Sequence, residues 1–184
     1  MRLYFSCVFY LFILGNLWGQ THYLAENGRM HFKSDAPLEL IEATSAELKG
    51  VLDTEKGSFA FSVDIPTFQG FNSPLQREHF NENYLESKRY PRATFVGKII
   101  EEVDFFAPGS YEVRAKGVLD IHGVKQERII KGQLNVTKDG ISIRADFTVL
   151  LEDHKISIPR IVHQKIAEEI MVDMAIFLQP KPAE

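Results

Sequence analysis

Ile141-Ser142-Ile143-Arg144-Ala145-Asp146-Phe147-Thr148-Val149 alternates apolar and polar residues without a break. A period of two sets one face against a core and the other toward water, which is the requirement of a half-buried β-strand and not of a helix. The same alternation runs through Tyr111, Val113, Ala115 and Leu119 against Glu112, Arg114, Lys116 and Asp120. It recurs where Phe59, Phe61, Val63 and Ile65 alternate with Ser58, Ala60, Ser62 and Asp64.

Outward from these three, weaker patterns predict strands over 29–34, 46–53, 93–101, 125–137 and 170–178, the last carrying Met174. Turn chemistry separates them at Thr54-Glu55-Lys56-Gly57, Ala107-Pro108-Gly109, His122-Gly123 and Lys138-Asp139-Gly140. Connections this short join antiparallel neighbours, so the expected sheet is a meander. Eight strands suffice to close a barrel, which removes the exposed edges and leaves room for packed side chains or one slender ligand. The fold class read from the chain is therefore all-β, an eight-stranded antiparallel β-barrel.

One stretch breaks the pattern. Ser73-Pro74-Leu75-Gln76 combines a capping serine, a proline in the first turn and a glutamine at the capping-box position, and predicts a helix running to about Ser87. Pro91 then holds Tyr90 extended and starts the next strand. Phe80 and Tyr84 fall on one face of this helix, one turn beyond Gln76 and Arg77, so the helix is placed to plug or lid a barrel end.

The chain's beginning has a different character. After Arg2 comes an apolar run over 3–14, closed by Gly15-Asn16-Leu17-Trp18-Gly19, the order of a secretory signal. The run is shorter than the roughly 20 residues that span a bilayer, and no second one follows it. The reading is a signal peptide over 1–19 and one barrel domain over 20–184, with Pro180-Lys181-Pro182-Ala183-Glu184 as a frayed tail. Its expected destination is the periplasm or the exterior, with no integral membrane span once the signal has left. The single cysteine, Cys7, lies in the signal, so the rest has no disulfide and depends on a packed core.

The formal net charge of −4 argues against nucleic acid as a partner, which requires a basic stripe. No Gly-x-Ser-x-Gly, cysteine nucleophile or HExxH occurs, and histidines 31, 79, 122, 154 and 163 are scattered without metal-ligand spacing. No catalytic residue, metal or cofactor is expected. The carboxylates Glu101, Glu102 and Asp104 sit together near a turn and read as a solvated face.

The unusual feature is aromatic load. Phe59, Phe61, Phe68, Phe71, Phe80, Tyr84, Phe95, Tyr111 and Phe147 fall on the inferred inner faces or on the segment approaching them. Aromatic side chains fill ordinary cores, and they equally line apolar cavities whose few polar groups orient a ligand. Asn72, Arg77 and His79 are the candidates for those polar groups.

Two stretches resemble the YceI-like family of bacterial lipid-binding proteins. Residues 71–97, FNSPLQREHFNENYLESKRYPRATFVG, contain the block Tyr90-Pro91-Arg92-Ala93-Thr94-Phe95, which is similar to the family's strand start. Residues 117–125, Gly-Val-Leu-Asp-Ile-His-Gly-Val-Lys, are similar to a family hairpin but lack its threonine before Lys125. The family's arginine-aspartate-histidine-leucine pattern is here the more compact Arg77-Glu78-His79-Phe80.

The resemblance implies an extended, lipocalin-like barrel with one short mid-chain helix, whose tunnel takes a long-chain isoprenoid lipid without cofactor chemistry. The residues that the inward faces and the helix offer as ligand-binding are Phe59, Phe61, Val63, Phe71, Arg77, His79, Phe80, Tyr84, Phe95, Tyr111, Val113, Phe147, Val149 and Met174. Two alternatives stay open: an exported protein-interaction module with a packed barrel, and an enzyme acting on a bound isoprenoid lipid with His79 or His154 as general base. Homodimerisation is compatible with all three.

Overall fold

A computed structural model describes residues 21–181. The signal-peptide reading of 1–19, Cys7 with it, lies outside the described residues, as do 182–184. Eight antiparallel strands close into a barrel in sequence order: β1 (His22–Asp35), β2 (Leu40–Asp53), β3 (Ser58–Asp64), β4 (Arg92–Ile99), β5 (Gly109–Ile121), β6 (Val124–Val136), β7 (Ile141–Leu150) and β8 (Glu169–Pro180). β8 pairs back on β1, so the sheet has no terminal strand.

All eight expected strands are present, and several are longer than the alternation indicates, β1 and β2 most of all. β1 begins at His22 instead of Arg29 because its pairing with β2 shifts register between Ala25 and Gly28 and again before Met30. Each shift breaks the period of two, which hides the first half of the strand from a pattern reading. The tail also starts later than expected. Pro180 pairs with Tyr23 and the Lys181 N–H donates to the His22 carbonyl at 2.8 Å.

The helix is capped as the sequence indicates. Ser73 Oγ accepts from the Gln76 N–H at 3.1 Å, with Pro74 in the first turn of α1 (Pro74–His79). Beyond His79 the turn widens, and the Leu85 N–H donates to the Phe80 carbonyl, five residues back. The helical path therefore continues past His79, but as a wide turn over Phe80–Tyr84 that stops short of the expected Ser87.

The two ends of the barrel differ. At one end Leu52, Leu134, Ile141 and Leu178 are fully buried and Phe105 folds under them from the β4–β5 loop, forming a floor. The other end carries the β1–β2 turn, α1, the β5–β6 turn and the long β7–β8 loop. His122 and Gly123 both have positive φ, giving the two-residue turn whose twist suits a hairpin. The Tyr90 ring lies where a Gly123 Cβ would be, at 2.4 Å, so glycine is required there for space as well as conformation. The His122 Nδ1–H donates to the His154 carbonyl and the His154 Nδ1–H to the Val124 carbonyl, both at 3.1 Å. These bonds tie the β7–β8 loop to the hairpin.

Candidate functional site: an apolar cavity open at one end

The inward-facing residues do not fill the barrel. They enclose a cavity of about 510 Å³ with an overwhelmingly apolar lining. Packed interiors hold few voids larger than a water molecule, whereas small-molecule pockets occupy roughly 300–1,000 Å³. The packed-barrel alternative therefore fails on geometry.

Twelve of the fourteen residues expected from the sequence line this cavity. Phe59, Phe61 and Val63 reach it from β3 and Phe95 from β4, with Phe59 5.3 Å from Phe61 and 5.1 Å from Phe95 between ring centroids. Val113, Phe147, Val149 and Met174 supply the opposite wall from β5, β7 and β8. Phe71, His79, Phe80 and Tyr84 come from the helical segment over the open end. Phe80 stacks on Phe32 at 5.2 Å and 15°, and meets Phe71 at 5.0 Å and Phe68 at 5.9 Å. This four-ring cluster fastens the helical segment to β1.

Two expected residues stand elsewhere. The Arg77 guanidinium is held outside the cavity, donating to the Pro66 carbonyl at 2.9 Å, so the residue beside it, Gln76, takes the place at the mouth. Tyr111 packs against the core toward the floor, its hydroxyl donating to the Asp104 carbonyl at 3.3 Å. Asn72 likewise faces away, its side-chain amide on the Leu40 carbonyl.

Several lining residues escaped the sequence reading. Met30 and Phe32 face inward from β1, a face already signalled by the alternation over 29–34. Ile156, Val162, Lys165 and Ile166 come from the β7–β8 loop, which has no periodicity to mark them. At the mouth, the Gln76 side-chain amide donates to Glu39 Oε1 at 2.9 Å and Lys165 Nζ lies 4.0 Å from Glu39 Oε2. Glu39, Gln76, His79 and Lys165 thus supply polar groups where an apolar chain would end in a headgroup.

The wall itself has a seam. β6 and β7 pair only over 133–136 with 141–144, and the ladder stops at Gly132 and Ala145. Past that point Arg128 bridges the strands, donating to the Thr148 carbonyl at 2.8 Å, and Gln126 reaches the β7–β8 loop, donating to the Asp153 carbonyl at 2.7 Å.

The candidate general bases are not equivalent. His154 is fully buried and outside the cavity lining, with Nδ1 committed to Val124. His79 does line the cavity, but among the described residues no carboxylate pairs with it. The carboxylates near the β4–β5 loop serve structure. Glu101 accepts from the Arg114 N–H and from Arg114 Nε, which hold its carboxyl below the usual range, and Asp104 accepts from the Phe106 N–H. Among the described residues no three potential ligands cluster to hold a metal, and no helix is long and apolar enough to cross a membrane.

The sequence profile of the YceI-like domain matches residues 26–178. The chain belongs to the YceI-like family. No curated protein sequence matches it. Its barrel is similar to a polyisoprenoid binding domain from Saccharophagus degradans implicated in plant cell wall breakdown, at 16% identity and a TM-score of 0.74, covering 88% of this chain and 99% of that one. It is also similar to BcnA of Burkholderia cenocepacia, at 14% identity and a TM-score of 0.67, covering 82% and 95%. A third likeness is the Campylobacter jejuni YceI protein, at 17% identity and a TM-score of 0.56, covering 71% and 78%. These likenesses establish the fold, the closed, lipocalin-like barrel with one short helix that a YceI-like sequence implies.

Proposed function

We propose that this YceI-like protein is an exported lipid-binding protein that holds a long apolar chain, a polyisoprenoid or an isoprenoid quinone, and performs no covalent chemistry on it. The observation that carries this reading is the apolar cavity of about 510 Å³ inside a closed barrel. Removing apolar surface from water yields roughly 25 cal/mol for each Å² buried, so such a cavity retains a hydrocarbon chain without directional bonds. The Saccharophagus degradans relative, described as a polyisoprenoid binding domain, supports the choice of ligand class. Phe59, Phe61, Val63, Phe95, Val113, Phe147, Val149 and Met174 are the proposed contacts of the chain, with Phe71, His79, Phe80 and Tyr84 nearer the headgroup. Glu39, Gln76 and Lys165 join them there. The apolar run over 3–14, which has the order of a secretory signal, supports export to the periplasm or beyond.

The test is native mass spectrometry of residues 20–184 purified from a host that makes polyprenyl lipids, with organic extraction to identify the adduct. A stoichiometric isoprenoid lipid is the expected result. A clean apo mass, with no uptake of added quinones, would refute it.

A further inference from the structure

The open end of the barrel is not finished as a water-facing surface. Three segments ring the mouth, and each turns a large apolar side chain outward. Leu38 in the β1–β2 turn is 66% exposed, Leu75 on α1 58%, and Ile161 in the β7–β8 loop 91%. The segments are tied together, the Leu38 N–H donating to the Gln164 carbonyl at 2.9 Å and Gln76 and Lys165 both reaching Glu39. Ile161 is held in its outward position by a short turn in which the Val162 N–H donates to the Pro159 carbonyl at 2.9 Å and the Lys165 N–H to the Val162 carbonyl at 2.8 Å. Leu75 and Val162 belong to this rim and also line the cavity, so the apolar surface is continuous from outside to inside.

Charge supplies the second observation. The stretch 155–167, KISIPRIVHQKIA, contains Lys155, Arg160 and Lys165 and no acidic residue, in a chain whose formal net charge is −4. Among the described residues, no ion pair engages Lys155 or Arg160. Exposed apolar side chains interleaved with free cations match a surface that offers hydrocarbon beneath anionic groups.

We propose that this end is a membrane-docking face, on which Leu38, Leu75 and Ile161 seat in the headgroup boundary of an anionic bilayer while the basic stretch 155–167 pairs with its headgroups. Resting on the lipid-binding reading above, the geometry gives the ligand a route from bilayer to cavity that never crosses water. The mouth opens directly onto the surface in which an insoluble chain resides.

The experiment uses residues 20–184 with vesicles of phosphatidylcholine alone or mixed with phosphatidylglycerol, and reads co-sedimentation. In parallel, uptake of a fluorescent polyprenyl lipid is followed from ethanol dilution and from vesicles. Binding is expected to prefer phosphatidylglycerol and to weaken with salt. Ile161→Asp should lower vesicle affinity by about tenfold or more, the loss of one buried isoleucine contact, and slow transfer from vesicles by a similar factor. Uptake from ethanol should be unchanged, because Ile161 does not line the cavity. Arg160→Glu should reduce the phosphatidylglycerol preference without altering the circular dichroism spectrum.

Failure of the wild type to sediment with either vesicle would overturn the proposal, as would equal binding by Ile161→Asp. So would a concentration-dependent dimer that Ile161→Asp dissolves, since the rim would then belong to a second copy. Absence of lipid uptake by every route, with vesicle binding and its Ile161 dependence intact, would remove the ligand reading and uphold the docking face.

Discussion

Replacing Phe80 with alanine removes the ring that fastens the helical segment to the barrel. α1 itself buries no residue, and its polar ties to Glu39 and Pro66, like that of the preceding Asn72 to Leu40, are exposed or half-buried. Phe80 is half-buried, and full burial of a phenylalanine side chain is worth roughly 1.5–3 kcal/mol, so its area term is about 1–1.5 kcal/mol. Its contacts with Phe32, Phe68 and Phe71 would add about 0.5–1.5 kcal/mol each, but Phe32 also packs on Phe68 and Phe71, so about two of them count independently. The total is about 2–4 kcal/mol.

Because the eight-stranded ladder does not pass through Phe80, that loss should fall on local opening of the segment instead of on the whole barrel. Amide hydrogen exchange reads it at Leu85 and Ser87, whose N–H groups bond to the Phe80 and Asn81 carbonyls. Each 1.4 kcal/mol is a factor of ten, so exchange there should accelerate by about 30- to 700-fold, while the urea midpoint moves less than the local loss implies. Unchanged exchange at both amides would refute the clamp. A midpoint falling by the full amount would show that the segment unfolds only with the barrel.

Two further outcomes follow from the strands. Gly97→Ala would bring a Cβ within 2.1 Å of the Lys116 carbonyl oxygen and 2.5 Å of Gly117 Cα, a backbone clash that no rotamer relieves. Its cost should reach or exceed the upper part of the roughly 1–3 kcal/mol of ordinary overpacking, read as a lowered urea midpoint or loss of soluble protein. Glu101 is held below its ordinary pKa, chiefly by the Arg114 backbone N–H and then by the Arg114 side chain. Its stabilising contribution is therefore complete above the unfolded-state value near 4.3 and is lost as pH falls through the lower folded value. Glu101→Gln should lower the melting temperature at neutral pH and flatten its decline below about pH 4.5; a curve parallel to the wild type would contradict this.

The strands were legible because each buries one face, and Phe59, Phe61 and Val63 announce theirs by period alone. Where pairing slips, as between Ala25 and Met30, the period fails and so does the reading. Whether an inward side chain meets a neighbour or a void is not written in its type. Leu178 and Phe147 both face inward on adjacent strands, yet one belongs to the floor and the other to the cavity wall. Arg77 was expected at the mouth because it shares a turn with Gln76, and only the position of the Pro66 carbonyl decides between them. The β7–β8 contribution was out of reach, since Ile156, Val162 and Ile166 lie in irregular backbone whose direction is set by bonds to distant groups such as Ser34 Oγ on Ala167.

The seam between β6 and β7 leaves part of the barrel's girth unset by backbone pairing. A wall closed throughout by backbone bonds has a circumference fixed by strand count and stagger, and widening it breaks a ladder. Here the stretch beyond Gln133 and Arg144 is spanned by Arg128, while Gln126 ties β6 to the start of the β7–β8 loop. Along this stretch the spacing of β6 and β7 is set by the reach of one guanidinium, so the wall there is held by a side chain and not by a ladder.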